Sequence, residues 1–219
     1  MKNFLRQRIP YVEFDYQTLL TALREYKRPR DRITRLLSQG TIVRVKKGLY
    51  VFGENEGREP AHKGVLANLI FGPSYVSLEY ALQYHGLIPE KVETVTSVAL
   101  GRSREFTTPL GRFTYRTIPL FAFRTGVERV EIGQGRHYLQ ALPEKALADK
   151  LYADKVPPPT LNNIRAYLIE DLRTDPDALR ALNPDLLADY ADRYRSRKIR
   201  ILASVVDRMK KAAGGHIHA

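Results

Sequence analysis

The sequence predicts an α+β fold in three successive parts: a basic helix-and-hairpin unit, a mixed α/β middle and a helical C-terminal region. Three observations support this. In "RPRDRITRLLSQGTIVRVKKGLYVF" (residues 28–52) the apolar period changes from helical to two-residue at Gly40. Between residues 63 and 152 helical and alternating segments interleave, and after "KVPPPT" the pattern is helical only.

Composition narrows the class. The chain has 219 residues, 43% hydrophobic and 27% charged, which is the profile of a folded protein with one large or two small domains. Its 36 Lys and Arg against 24 Asp and Glu leave a formal charge of +12, which calls for a polyanion: DNA, RNA, an acidic protein or an anionic membrane surface. The absence of cysteine excludes disulfides, thiolate zinc sites and cysteine nucleophiles, and it fits a reducing cytoplasm. Met1 to Pro10 has no apolar signal core, and no apolar run approaches the roughly 18 residues of a membrane span. The expectation is a cytoplasmic protein with no membrane partner.

In the first part, Asp15 is the expected N-cap of a helix from about Tyr16 to Tyr26, with Leu19, Leu20, Leu23 and Tyr26 at helical spacing. Arg28 then stands at the cap of a second helix, with Pro29 in its first turn and Ile33, Leu36 and Leu37 as one apolar stripe. Gly40 ends it. Ile42, Val43 and Val45, then Leu49 to Phe52, form a hairpin turning near Lys47-Gly48. That order is the order of a winged helix-turn-helix, assigned to residues 1–56, with Gly53 to Arg58 as hinge or linker.

Residues 57–219 form the expected second domain, mixed α/β to about 155 and a helical bundle over 158–212. It opens with helices near Lys63 to Phe71 and from Ser77 onward. A strand follows in "KVETVTSVAL", another in "GRFTYRTI", and "VERVEIGQGRHYLQA" is a pair turning at Gln134-Gly135. Pro143 opens a helix with Ala146, Leu147 and Leu151 inward. Asp175-Pro176 and Asn183-Pro184 are cap-then-proline starts in the helical part, and the tail "AGGHIHA" is expected to fray.

The basic unit is the expected DNA contact. Arg28, Arg30, Arg32 and Arg35 lie outside the apolar stripe of a helix that fits a major groove, Thr41 sits at the corner, and Arg44, Lys46 and Lys47 lie on the hairpin for phosphates. A second basic run from Arg193 to Lys211 is opposed only by Asp207. It shares its helix with an apolar face of Ile199, Ile201, Leu202, Val205 and Val206, and its basic side is read first as solvated.

Catalytic and metal motifs are missing. The histidines show ligand-like spacing only in the tail pair His216/His218, and no nucleophile elbow, H-E-x-x-H or P-loop appears. Ser77 has no flanking glycines, and Glu144 has a sufficient role against the helix macrodipole. The chain is therefore read as a non-enzyme without cofactor or metal. A nuclease using Glu93, Glu128 or Glu131 is the enzymatic alternative. The thirteen tyrosines and eight phenylalanines are assigned mostly to core packing.

Three stretches, "RITRLLSQGTIVRVKKGLYVF", "SYVSLEYALQYHGLIPE" and "ALPEKALADKLY", occur in the order and approximate spacing of AbiEi-type antitoxins of bacterial toxin–antitoxin systems, which the chain resembles from about Tyr16 to Tyr152. The resemblance implies an N-terminal winged helix that binds inverted repeats in its own promoter as a repressor, and a larger C-terminal part that carries antitoxicity. It implies a nucleotidyltransferase-like toxin as functional partner, opposed in the type IV manner without a stable complex being required. It places the DNA-contacting region on Arg28 to Lys47. The protein is expected as a monomer in solution or a dimer on DNA. Unlike longer members, this chain has only one evident helix before the basic one. The alternative reading is a basic protein- or RNA-interaction module without antitoxin activity.

Overall fold

The computed structural model describes residues 3–54, 59–156 and 158–214. Part of the expected linker (55–58), Pro157 and the His216/His218 pair lie outside them. Among the described residues the N-terminal part runs α1 (Asn3–Arg8), β1 (Glu13–Asp15), α2 (Tyr16–Ala22), α3 (Pro29–Ser38), β2 (Ile42–Lys46) and β3 (Leu49–Phe52). Its strands make one antiparallel sheet in the order β1-β3-β2.

Local chemistry accounts for most of these elements. The Asp15 carboxylate accepts from the Thr18 N–H at 2.7 Å and caps α2, and this bond holds the carboxyl below its usual pKa. The helix ends at Ala22 rather than near Tyr26, because the chain turns at Leu23 and the Tyr26 ring packs edge-on against Phe4 at 6.1 Å. Two helices, α1 and α2, precede the basic one where the sequence reading had one. Gly40 ends α3 in the left-handed region at φ +67°. There the Thr41 carbonyl accepts from the Gly53 N–H at 2.9 Å, and a Cβ on Gly53 would strike the Gly40 carbonyl oxygen.

The middle part contains α4 (Lys63–Ile70), β4 (Ser74–Val76), α5 (Leu78–Tyr84), β5 (Val95–Ala99), β6 (Arg104–Thr108), β7 (Gly111–Thr117), α6 (Leu120–Phe123), β8 (Val127–Glu131), β9 (His137–Ala141) and α7 (Pro143–Ala153). A six-stranded mixed sheet has the order β6-β7-β5-β4-β9-β8, with β4/β9 and β5/β7 parallel. The strands expected in "KVETVTSVAL" and "GRFTYRTI" and the pair at 127–141 are present; β4 and β6 are additions.

The last part is helical. Here α8 (Leu161–Ala166) widens into an i→i+5 turn over Tyr167–Asp171, followed by α9 (Pro176–Ala181), α10 (Pro184–Tyr194) and α11 (Arg197–Gly214). Asp175 and Asn183 cap as expected, each accepting a backbone N–H two residues on at 2.9 Å.

Three apolar clusters hold these parts. Ile33 and Leu36 of α3 bury against Leu5, Phe14, Leu19, Leu23 and Ile42. Val45, Leu49 and Val51 of the hairpin pack with Leu66, Ile70, Phe113 and Tyr115, so the two sheets share a core. A third cluster joins α5 and α7 to the C-terminal helices through Leu82, Leu147, Leu151, Leu187, Leu202 and Val206. Burial of such side chains stabilises by about 1.5–3 kcal/mol each.

Candidate functional site

Burying Ile33 and Leu36 fixes which side of α3 faces out. Arg28, Arg30 and Arg35 are exposed, together with Thr34 and Ser38. Arg28 occupies the N-cap position but makes no side-chain cap bond; its guanidinium lies 3.8 Å from Asp31, an exposed pair of little energetic weight. Arg32 is half-buried, its guanidinium 5.4 Å from the Tyr26 ring centroid.

An open groove of about 460 Å³ runs along the start of α3, walled by Arg28, Asp31, Arg32 and Arg35 together with Tyr26 and Lys27. Sequence reasoning passed over the last two. The signal was present in the unbroken run "YKRPR", where a tyrosine and a lysine immediately precede the arginines.

The hairpin divides its three cations. Arg44 and Lys47 are exposed, Lys47 at the turn. Lys46 is half-buried, and its ammonium donates to the Ile70 carbonyl at the C-terminal end of α4, where helix carbonyls lack partners and attract cations. Thr41 is half-buried and held through its backbone: its N–H donates to Leu36 at 3.0 Å and its carbonyl accepts from Gly53. Arg28, Arg30, Arg35, Arg44 and Lys47 are thus presented outward, Arg32 is half-buried in the groove wall against Tyr26, and Thr41 and Lys46 are engaged inward.

The carboxylates of the nuclease alternative do not converge. Glu93 precedes β5 and pairs with Lys91 at 3.0 Å and Lys63 at 3.8 Å. Glu128 and Glu131 lie on β8, separated from β5 by β4 and β9, and Glu131 pairs with Arg129 at 2.6 Å. Among the described residues no group of three or more His, Asp or Glu side chains is arranged to hold a metal ion.

A buried polar cluster lies elsewhere. Lys145 and Asp149, one turn apart on α7, are wholly buried and paired at 2.5 Å. The Lys145 ammonium also donates to the Tyr75 and Tyr194 hydroxyls at 2.6 and 2.5 Å, while Ser77 donates to Asp149 at 2.6 Å. Burial pushes the lysine's pKa down against the pull of Asp149, and drives both tyrosines far up. Tyr75 and Ser77 come from "SYVSLEYALQYHGLIPE", and Lys145 and Asp149 from "ALPEKALADKLY". These two stretches therefore meet in one internal pin. Glu144 is nearly buried, and besides opening α7 its carboxylate accepts from the Asn183 N–H at 2.9 Å, seating the start of α10.

The second basic run is partly neutralised. Arg193 pairs with Asp189 at 2.8 Å, Lys211 with Asp207 at 2.7 Å and Arg200 with Asp192, while Lys198 donates to the carbonyls of Tyr152 and Asp154. No described helix is long and apolar enough to cross a membrane. Neither a protein-family model nor a curated protein matches this chain.

Proposed function

We propose that this protein is a DNA-binding antitoxin that represses its own operon through an N-terminal winged helix and counteracts a nucleotidyltransferase-like toxin. The observation that carries the DNA-binding half is the outward presentation of Arg28, Arg30 and Arg35 on a helix whose other side is locked by Ile33 and Leu36, directly followed by a hairpin with Arg44 and Lys47 exposed. The element order α1-β1-α2-α3-β2-β3 and the sheet order β1-β3-β2 support the winged-helix reading.

In this reading α3 enters the major groove, where an arginine reads guanine O6 and N7 with two parallel N–H bonds. Lys47 and Arg44 sit on neighbouring phosphates and supply salt-dependent affinity. The antitoxic half rests on the likeness of the three quoted stretches to AbiEi-type antitoxins.

Two cellular assays test the halves separately. A reporter driven by the chain's own upstream region should be repressed on expression of the protein, and derepressed by the Arg30→Ala/Arg35→Ala double variant. Co-expression should restore growth of cells producing the adjacent toxin. An unrepressed reporter removes the first half of the proposal, and failed rescue with intact repression removes the second.

A further inference from the structure

A groove between α8 and α11, remote in sequence from the basic helix, has a composition the DNA-binding reading does not use. On α11 its wall follows Val205, Arg208, Met209 and Ala212, spaced i, i+3, i+4 and i+7, so the four share one stripe. On α8 the facing wall includes Leu161 and Arg165, one turn apart. The groove encloses about 300 Å³. Val205 is buried and Leu161 and Met209 are half-buried, giving an apolar floor, while Arg165 and Arg208 are exposed along the rim. Among the described residues neither arginine has a carboxylate within salt-bridge reach, although Arg193, Arg200 and Lys211 nearby in sequence all do.

Both walls are fixed. Thr160 caps α8 by accepting from the Asn163 N–H at 3.2 Å, and the Asn163 amide donates to the Pro158 carbonyl at 2.8 Å. Ile199, Leu202 and Val206 are buried on the flank of α11 that adjoins the stripe and anchor the helix to the core.

We infer that this groove docks an acidic amphipathic helix of a partner protein. The two-part chemistry selects that occupant. An apolar floor of leucine, valine and methionine offers nothing to a phosphate backbone and no aromatic face for a base to stack on, whereas it suits aliphatic anchors from a helix. Methionine adapts its shape to such anchors, and the arginine rim then requires carboxylates flanking them. Val205 to Ala212 spans about 10 Å at a helical rise of 1.5 Å per residue, enough for two turns of a docked helix.

The test uses the full chain with methyl groups labelled for NMR and two synthetic helical peptides. One carries leucines at i and i+4 among glutamates; its twin has lysines in place of the glutamates. The acidic peptide should bind saturably with a Kd below about 100 μM, shift the methyl signals of Leu161, Val205 and Met209, and bind at least tenfold more tightly than its twin. The Arg165→Glu/Arg208→Glu double variant should weaken it at least tenfold while leaving circular dichroism and binding to the chain's own upstream DNA unchanged. No saturable binding, equal binding of the two peptides, or indifference to the charge reversal would overturn the inference. So would a duplex DNA that shifts the same methyl signals, or a dimer of the free chain that the double variant dissolves, since either makes a different molecule the occupant.

Discussion

Arg136 donates from Nη2 to Glu13 Oε1 at 2.7 Å, joining the β8–β9 turn to the first strand of the N-terminal sheet. Glu13 is 5% exposed and Arg136 13%, Glu59 binds the same guanidinium at 3.0 Å, and the His62 N–H donates to Glu13 at 3.0 Å. With Lys46 seated on the end of α4 and the hairpin valines packed on Leu66 and Ile70, this fastens the basic unit to the larger sheet.

Arg136→Ala leaves the Glu13 carboxylate buried beside an empty space, so it should destabilise by about 3 kcal/mol, in the range for breaking a buried ion pair. Glu13→Gln/Arg136→Met together should recover more than half of that loss. Urea unfolding of the three proteins checks it, and a loss under about 1 kcal/mol for Arg136→Ala would show that the pair is effectively solvated.

The Lys145–Asp149 pair makes a steeper prediction. Lys145→Met strands a fully buried carboxylate among Tyr75, Ser77 and Tyr194, and should destabilise by about 3–5 kcal/mol. Lys145→Met/Asp149→Leu removes both charges and should be markedly more stable than the single variant. Thermal unfolding followed by circular dichroism ranks them; a double variant no better than Lys145→Met would mean that the hydroxyl network rather than the charge pair dominates.

His62 sets a pH dependence. Burial first, then the nearby Arg136 charge, hold its pKa below the ordinary 6.5, with Glu13 opposing. The unfolded chain therefore takes up a proton that the folded chain resists, so this contribution is complete above about pH 6.5 and is lost as pH falls through the folded value. Protonation at Nδ1 would also remove the acceptor for the Gly64 N–H at the start of α4. The unfolding midpoint should drop between pH 7 and 5.5, and His62→Asn, which keeps an acceptor at the cap, should flatten that drop.

The three hairpin and helix cations should separate by assay. Arg35→Ala should weaken operator binding by about 1–3 kcal/mol if it reads a guanine, with less effect on unrelated duplexes. Lys47→Ala should weaken all duplexes alike and reduce the salt slope by about one. Lys46→Ala should instead lower stability by about 1 kcal/mol through the lost bond to Ile70, leaving the salt slope unmoved. Titrations at several salt concentrations distinguish these outcomes.

Legibility in the sequence followed the strength of local signals. The basic helix and hairpin were readable because Ile33 and Leu36 set one period, Val43 and Val45 another, and glycines mark both the helix stop and the turn. Asp175 and Asn183 announced their caps by the proline that follows each, and Asp15 by the helical spacing of the leucines after it. Helix α1 escaped because six residues carry too short a pattern, although Leu5 and Ile9, both buried, sit at i and i+4. Strand β4 escaped because Ser74, Tyr75 and Val76 are buried on both faces and so do not alternate. The engagement of Lys46 was invisible because its partner, the Ile70 carbonyl, is 24 residues away. The Lys145–Asp149 pin was missed: the two stand at i, i+4 within "PEKALAD", a spacing common to solvated pairs, and its two tyrosine partners come from tertiary structure.

The most direct test of the central claim is fluorescence anisotropy of the purified full chain on its own upstream duplex and on a scrambled duplex, at low and physiological salt. A preference of about 10³-fold that persists at physiological salt is the predicted result, as for a specific operator-reading protein. Equal affinity for both duplexes, erased by salt, would contradict the claim and leave the outward arginines of α3 as a general cationic face.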